Sequence, residues 1–464
     1  MSDWAKVELS ELLTLVIDHR GKTPKKMGFD DFFSKGYPVL SAKHIKNGDL
    51  VNLDNLRYGN NEMYKKWMKE EVKKEDIILT SEAPLGETYY IDNDQKYILG
   101  QRVFGLRANK EKVVPKYLEI WLSSLKGQQE LFKRASGSTV QGIKQTELLK
   151  ITVDIPPLEI QEKIATIGDS LSKKIKLNTQ TNQTLEQIAQ AIFKHWFIDF
   201  APVHAKANAL ARGETIEQAE LAAMACLSGK TAEKITALQH TAPEAYHQLQ
   251  RTARAFPSEF VESEMGLVPK GWAGFTIKDC CKNLYNGGTP KRKINDYWDN
   301  GTIPWLSSGE VCNNNVLIQS KEFITEKGLA NSSAKLVPIH STLVAIYASP
   351  TAGKCSFCAF ESTTNQAVCS LIPIDGFEYF NYLNLKTKEQ YFANQAVGSA
   401  QQNISKKIIE DTLSLKPNNE IIRDFNLLMN PIFEKWIKNL KENSTLAKTR
   451  DELLPRLLSG EVEL

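Results

Sequence analysis

Two short basic turns invite a chemical reading. Residues 21–26 read Gly-Lys-Thr-Pro-Lys-Lys and residues 287–293 read Gly-Gly-Thr-Pro-Lys-Arg-Lys. The cations Lys22, Lys25 and Lys26, and then Lys291, Arg292 and Lys293, stand beside Thr23 and Thr289 and suit contact with phosphate oxygens. A solvated basic loop is the competing account. A second pair of turns runs Gly137-Ser138-Thr139-Val140-Gln141 and Gly398-Ser399-Ala400-Gln401-Gln402-Asn403, with Lys144 and Lys406 just beyond. Gln and Asn amides can bond adenine bidentately in the major groove, and Ser and Thr suit phosphates or base edges. Turn and helix-cap chemistry explains the same residues without any ligand. Ser41 with Lys43, and Ser307 with Ser308, follow expected strands and are weaker candidates. Gln101 and Arg102, set against Gln366, are weaker still.

Several fragments imitate catalytic motifs without completing them. Asn430-Pro431-Ile432-Phe433 resembles the Asn-Pro-Pro-Phe tetrapeptide of adenine methyltransferases, but no glycine-rich cofactor loop accompanies it. Gly21-Lys22-Thr23 lacks the glycine five residues upstream that a phosphate loop needs; Val16 stands there. Asp54 with Glu71 and Lys73 has a spacing common in a chain that is 24% charged. Cys355-Ser356-Phe357-Cys358 is one Cys-x-x-Cys without a second pair at zinc-ribbon spacing. The seven histidines form no metal spacing, and His195 beside Trp196 reads as packing. No catalytic residue, resident cofactor or metal is therefore expected.

The elements that must position these turns belong to a chain of 464 residues, 42% hydrophobic and of net charge +3. At about 150 residues per domain this allows roughly three units. The composition excludes a disordered tail, a collagen-like fibre and a membrane protein, since no run approaches the ~18 apolar residues of a membrane helix. No secretory signal is visible at the N-terminus. Seven irregularly placed cysteines, none before Cys226, argue against a disulfide framework and for a reducing cytoplasm. Residues 1–156 and 266–417 each carry an excess of three cations, so the positive charge sits in two blocks. Phosphate contact and a chance excess of a few charges both account for that.

The chain repeats itself. A displacement of 266 residues takes Thr23-Pro24 onto Thr289-Pro290, Pro38 onto Pro304, and Pro84 onto Pro350. Gln101 falls on Gln366 at 265, and Gln141-Gly142-Ile143 on Gln402-Asn403-Ile404 at 261. Order is kept throughout, which marks a tandem duplication. Each copy opens with about 150 residues of mixed α/β pattern, including strands near Asp76–Thr80 and Ser341–Tyr347. Each continues into a long helix entered after Pro157 or Pro417. The helices carry matched heptads: Ile164, Leu171, Asn178, Leu185 and Ile192, against Phe425, Ile432, Asn439, Leu446 and Leu453. Four apolar residues and one Asn on each seam predict two helices pairing as a coiled coil, with the buried Asn penalising wrong registers. Packing of each helix on its own domain is the alternative. Pro431 and Pro455 should kink or interrupt the second helix. Residues 201–265 are Ala-rich and read as a helical insertion between the copies.

With these features in place, the chain resembles the specificity subunit of type I restriction-modification systems. The resemblance rests on Gly137 to Ile143 running on to Gln161, on the second Gly-Gly-Thr-Pro, and on Pro304-Trp305-Leu306-Ser307. It also rests on Gly266-Leu267-Val268-Pro269-Lys270-Gly271-Trp272 and on Thr449 to Gly460. It implies an α/β (mixed α+β) fold of two globular target-recognition domains, 1–156 and 266–417, joined by helices 157–200 and 418–464 as an antiparallel coiled coil. It further implies a non-catalytic reader of bipartite double-stranded DNA, one domain per half-site. The helices would dock two methyltransferase subunits, with restriction subunits in the full complex. S-adenosylmethionine, ATP and Mg would belong to those partners. Two other readings stand beside it: the specificity subunit of a system whose methyltransferase and nuclease share one chain, and a coiled-coil adaptor that binds protein.

Overall fold

A computed structural model describes residues 4–137, 139–347, 351–397 and 403–462. The chain forms two compact units, one made of residues 1–177 with 443–464 and one of residues 178–442.

In the first unit the main sheet has the antiparallel order Leu13–Asp18, Val103–Ala108, Ile77–Ser81, Leu85–Tyr90. Ile77 to Ser81 are all buried, as the apolar run predicts. A smaller sheet places Tyr37–Leu40 between Arg57–Gly59, antiparallel, and Ile98–Leu99, parallel.

The second unit repeats this plan. Cys281–Asn286, Val368–Pro373, Thr342–Ala345 and Cys355–Cys358 follow in the same order, with Val316–Leu317 added parallel at the edge. Its smaller sheet has Ile303–Leu306 between Glu322–Ile324 and Thr363–Thr364. The registers correspond as well. Phe104 faces Leu79 as Cys369 faces Val344, and Val39 faces Ile98 as Trp305 faces Thr363. The duplication found in the sequence is thus also a duplication of strand pairing.

The helices begin where the prolines place them and span Leu158–Phe197 and Asn419–Leu458. In the second unit Asn178 Nδ2 donates to Glu442 Oε2 at 2.9 Å, and the Phe193 and Phe425 rings lie 6.0 Å apart. In the first unit Asn443 Nδ2 donates to the Ile175 carbonyl at 3.3 Å. In each unit, rising numbers on one helix meet falling numbers on the other, in the first unit Gly168 beside Leu454 and Ile175 beside Asn443, so the helices pair antiparallel. None of the ten seam residues is exposed: Ile164, Asn178, Phe425 and Asn439 are buried, and Leu171, Leu185, Ile192, Ile432, Leu446 and Leu453 are half-buried.

One part of the proline expectation, an interruption of the second helix, is not met. The second helix is not interrupted at Pro431 or Pro455 but continues through both. Each proline forfeits one backbone N–H. Both prolines are exposed, and buried Met429, Phe433 and Trp436 hold the helix on either side of Pro431. Packing therefore outweighs the local penalty.

Residues 201–265 fold as helices Ala201–Ala211, Ile216–Ser228, Ala232–Thr241 and Pro243–Ala255, closed by the hairpin Phe260–Ser263 with Gly266–Pro269. They pack on the second unit: Thr252 Oγ1 donates to Asp424 Oδ2 at 2.8 Å, and Phe256 and Val203 join its core. Among the described residues no helix is long and apolar enough to cross a membrane.

Candidate nucleic-acid interface

In the first unit the strand Leu13–Asp18 delivers the basic turn. Arg20 holds it in place. Its guanidinium grips Asp18 through bonds of 2.8 and 2.7 Å, lies 4.1 Å over the Phe104 ring, and donates to the Ile143 carbonyl at 3.1 Å. That last bond ties the basic turn to the glycine turn. Sequence reasoning does not single out Arg20; an Arg two residues after an Asp at a strand end is the available signal.

The cations of this turn divide. Lys22 points inward and donates to the Trp67 carbonyl, and burial lowers its pKa. Lys26 donates to the Gly21 carbonyl at 2.9 Å while Thr23 Oγ1 accepts from the Lys26 N–H at 3.3 Å. Lys25 is exposed. Beside them His19 is 5% exposed, and burial first, then Lys22, pushes its pKa down to about 4.

The glycine turn is closed by reciprocal backbone bonds between Ser136 and Gly142, 2.8 and 3.0 Å. Gly137 has φ +114°, and a Cβ there would lie 2.2 Å from the Val140 carbonyl oxygen, so the turn demands glycine. It presents Thr139 and Gln141 to solvent, with Lys144 exposed beyond. Ser138 lies outside the described residues. Arg102 and Glu82, on two neighbouring turns, form an exposed pair at 3.0 Å. Ser41 serves as a cap, its hydroxyl 3.2 Å from His44 Nδ1, and exposed Lys43 gives its carbonyl to Asn52.

In the second unit Thr289 bonds the Gln366 side chain. Arg292, exposed like Lys291 and Lys293, pairs with Glu322 at 2.7 Å and stacks 3.7 Å over Trp298 and 4.7 Å over Trp305. Ser307 caps a short helix through a reciprocal box with Glu310, and Ser308 is its first residue. Lys406 donates to the Leu284 carbonyl at 3.3 Å and pairs with Glu410 at 3.0 Å. Asn403 is half-buried, and Ser399, Gln401 and Gln402 lie outside the described residues.

The Cys-x-x-Cys forms the strand Cys355–Cys358, whose two thiols fall in separate core clusters. A strand alternates its faces, so residues three apart cannot share a ligand. His195 Nε2 lies 3.2 Å from Cys226 Sγ, a contact between helices. Asn430 accepts from the Tyr379 hydroxyl at 2.7 Å, a packing role.

The fold and its turns define a class: a tandem-duplicated α/β protein whose two units each carry one stretch of an antiparallel helix pair. The model of the type I restriction modification DNA specificity domain matches residues 1–187 and 269–416. The type I restriction enzyme HindI specificity subunit of Haemophilus influenzae is 35% identical, with all of both chains covered. The MjaIX specificity subunit of Methanocaldococcus jannaschii is 26% identical over 96% of this chain and 90% of its own. The crystal structure of the S subunit of the type I restriction-modification system of M. genitalium superposes with a TM-score of 0.57, at 15% identity, covering 98% of this chain and 96% of that one. The chain belongs to the type I restriction-modification DNA specificity family. Its part in such a system is that of a non-catalytic DNA sequence-specificity subunit with two target-recognition domains.

Proposed function

We propose that each target-recognition domain reads one half of a bipartite double-stranded DNA site, and that the helix pair sets the gap between the halves. The carrying observation is the matched strand order and register of the two units, each holding a stretch of both helices. Readers on one face of B-DNA must stand about one turn, ~34 Å, or a multiple of it, apart. The accompanying domain limits are 1–156 and 266–417 for the readers, 157–200 and 418–464 for the helices, and 201–265 for the insertion. The helices dock two methyltransferase subunits, through which restriction subunits join; S-adenosylmethionine, ATP and Mg belong to those partners.

The exposed cations Lys25, Lys43 and Lys144 of the first reader and Lys291 and Lys293 of the second contact phosphates, while Thr139 and Gln141 of the first address base edges. The seven free thiols favour a reducing compartment, the cytoplasm.

Long-read methylation mapping tests this, comparing cells that express the chain with its methyltransferase against cells lacking only this chain. The expected result is a bipartite adenine-methylation motif that disappears with the chain. No such motif, together with salt-insensitive association with another protein, would replace the DNA reading with an adaptor role.

A further inference from the structure

One hydrogen-bond frame occurs in both units with different side chains on it. In the first unit the Ser81 N–H donates to the Arg102 carbonyl at 2.8 Å, and the Ser81 carbonyl accepts from the Ile143 N–H at 2.9 Å. In the second the Ile346 N–H donates to the Ala367 carbonyl at 2.9 Å, and the Ile346 carbonyl accepts from the Ile404 N–H at 2.9 Å. Arg102 thus corresponds to Ala367, and the residue after the central strand residue is Glu82 in one unit and Tyr347 in the other. Ala367 is a buried methyl, whereas the Arg102 and Glu82 side chains are 52% and 42% exposed.

Neither packing nor stability accounts for the first unit's choice. Arg102 has φ +65°, a conformation L residues disfavour. Its bond to Glu82, at 3.0 Å, is a surface ion pair of the kind that contributes little to folding. The pair stands beside the turn proposed above to address base edges. A Cβ at Gly142 would lie 3.3 Å from Glu82 Oε2, so Glu82 rests against the foot of the turn that presents Thr139 and Gln141. Two readers built on one scaffold and aimed at different sequences must differ in the side chains that meet the bases.

We propose that Arg102 and Glu82 specify a G·C base pair in the half-site read by the first domain. The Arg102 fork donates to guanine O6 and N7; Glu82 aims the fork and accepts from the cytosine amino group. At the corresponding positions the second domain has Ala367 and Tyr347, so this frame imposes no such requirement there. This inference rests on the reading of the chain as a two-domain DNA reader.

The test is methylation mapping with wild-type chain, Arg102→Ala and Arg102→Lys, each in complex with its methyltransferase and each checked for folding by thermal melting. A wild-type complex with no bipartite motif overturns the DNA-reader reading and this inference with it. Given a wild-type motif, both variants are expected to lose one G·C position in one half-site and keep the other half-site intact. In competition with duplexes altered at that position, discrimination should fall roughly tenfold or more. Lysine retains the charge without the fork, so Arg102→Lys should keep the wild-type salt slope. A folded Arg102→Lys complex that still reads the full motif overturns the inference, as does an Arg102→Ala complex weakened equally on all sequences.

Discussion

Asn439 Nδ2 donates to Asn182 Oδ1 at 2.9 Å, and both amides are buried between the two long helices. Each seam asparagine bonds to a residue one turn along the partner helix: Asn439 to Asn182, and Asn178 to Glu442. Polar groups buried at a helix seam fix register by penalising every alignment that leaves them unpaired.

Asn439→Leu alone should therefore destabilise the protein by about 1–3 kcal/mol, because the Asn182 amide stays buried without its partner. Asn182→Leu combined with Asn439→Leu should recover most of that loss. Urea midpoints of the three proteins decide the matter. A single variant as stable as wild type would show that the pair does not govern register.

The cations of the second basic turn should separate by role. Changing both Lys291 and Lys293 to Ala should flatten the dependence of log affinity on log salt by about 0.9 for each phosphate no longer neutralised. Arg292→Ala should act on stability, losing about 0.5–1 kcal/mol of ring stacking, because its guanidinium is committed to Trp298 and Glu322. An unchanged slope in the double lysine variant would show that these two lysines do not touch phosphate.

Replacing residues 1–156 with the first domain of another specificity subunit should change one half-site and leave the second half-site and the gap as they were. Motif mapping reads this directly. A change in both halves would contradict independent readers.

His19 gives a pH dependence of definite sign. Its folded pKa, about 4, lies below the ordinary 6.5, so the native state holds it neutral. Its contribution to stability is complete above pH 6.5 and is lost as pH falls toward 4, where the unfolded chain binds a proton that the native chain does not. The urea midpoint should drop more between pH 7 and pH 4.5 in wild type than in His19→Phe. Equal drops would place the acid sensitivity elsewhere.

The fold was legible wherever local rules and global packing agree. Pro157 and Pro417 announced both helix starts, and the repeat foretold matched strand pairing. Reading stopped where distant segments meet. Nothing near Lys22 says that its ammonium turns toward Trp67, or near Arg292 that two tryptophans lie beneath it. Arg20 reaches Ile143 across 123 positions of sequence, and the Arg102–Glu82 pair joins two separate turns. Pro431 misled for the opposite reason: its local penalty is real, but buried neighbours override it.

The first unit draws Leu453, Leu454, Leu457 and Leu458 from the far end of the sequence into contact with a core built by residues up to 177. During synthesis the amino-terminal reader leaves the ribosome with that apolar surface open, and it waits for nearly three hundred further residues before the strip that covers it emerges. The second unit, contiguous in sequence, can close first. The domain synthesised first is thus the last to receive all of its core.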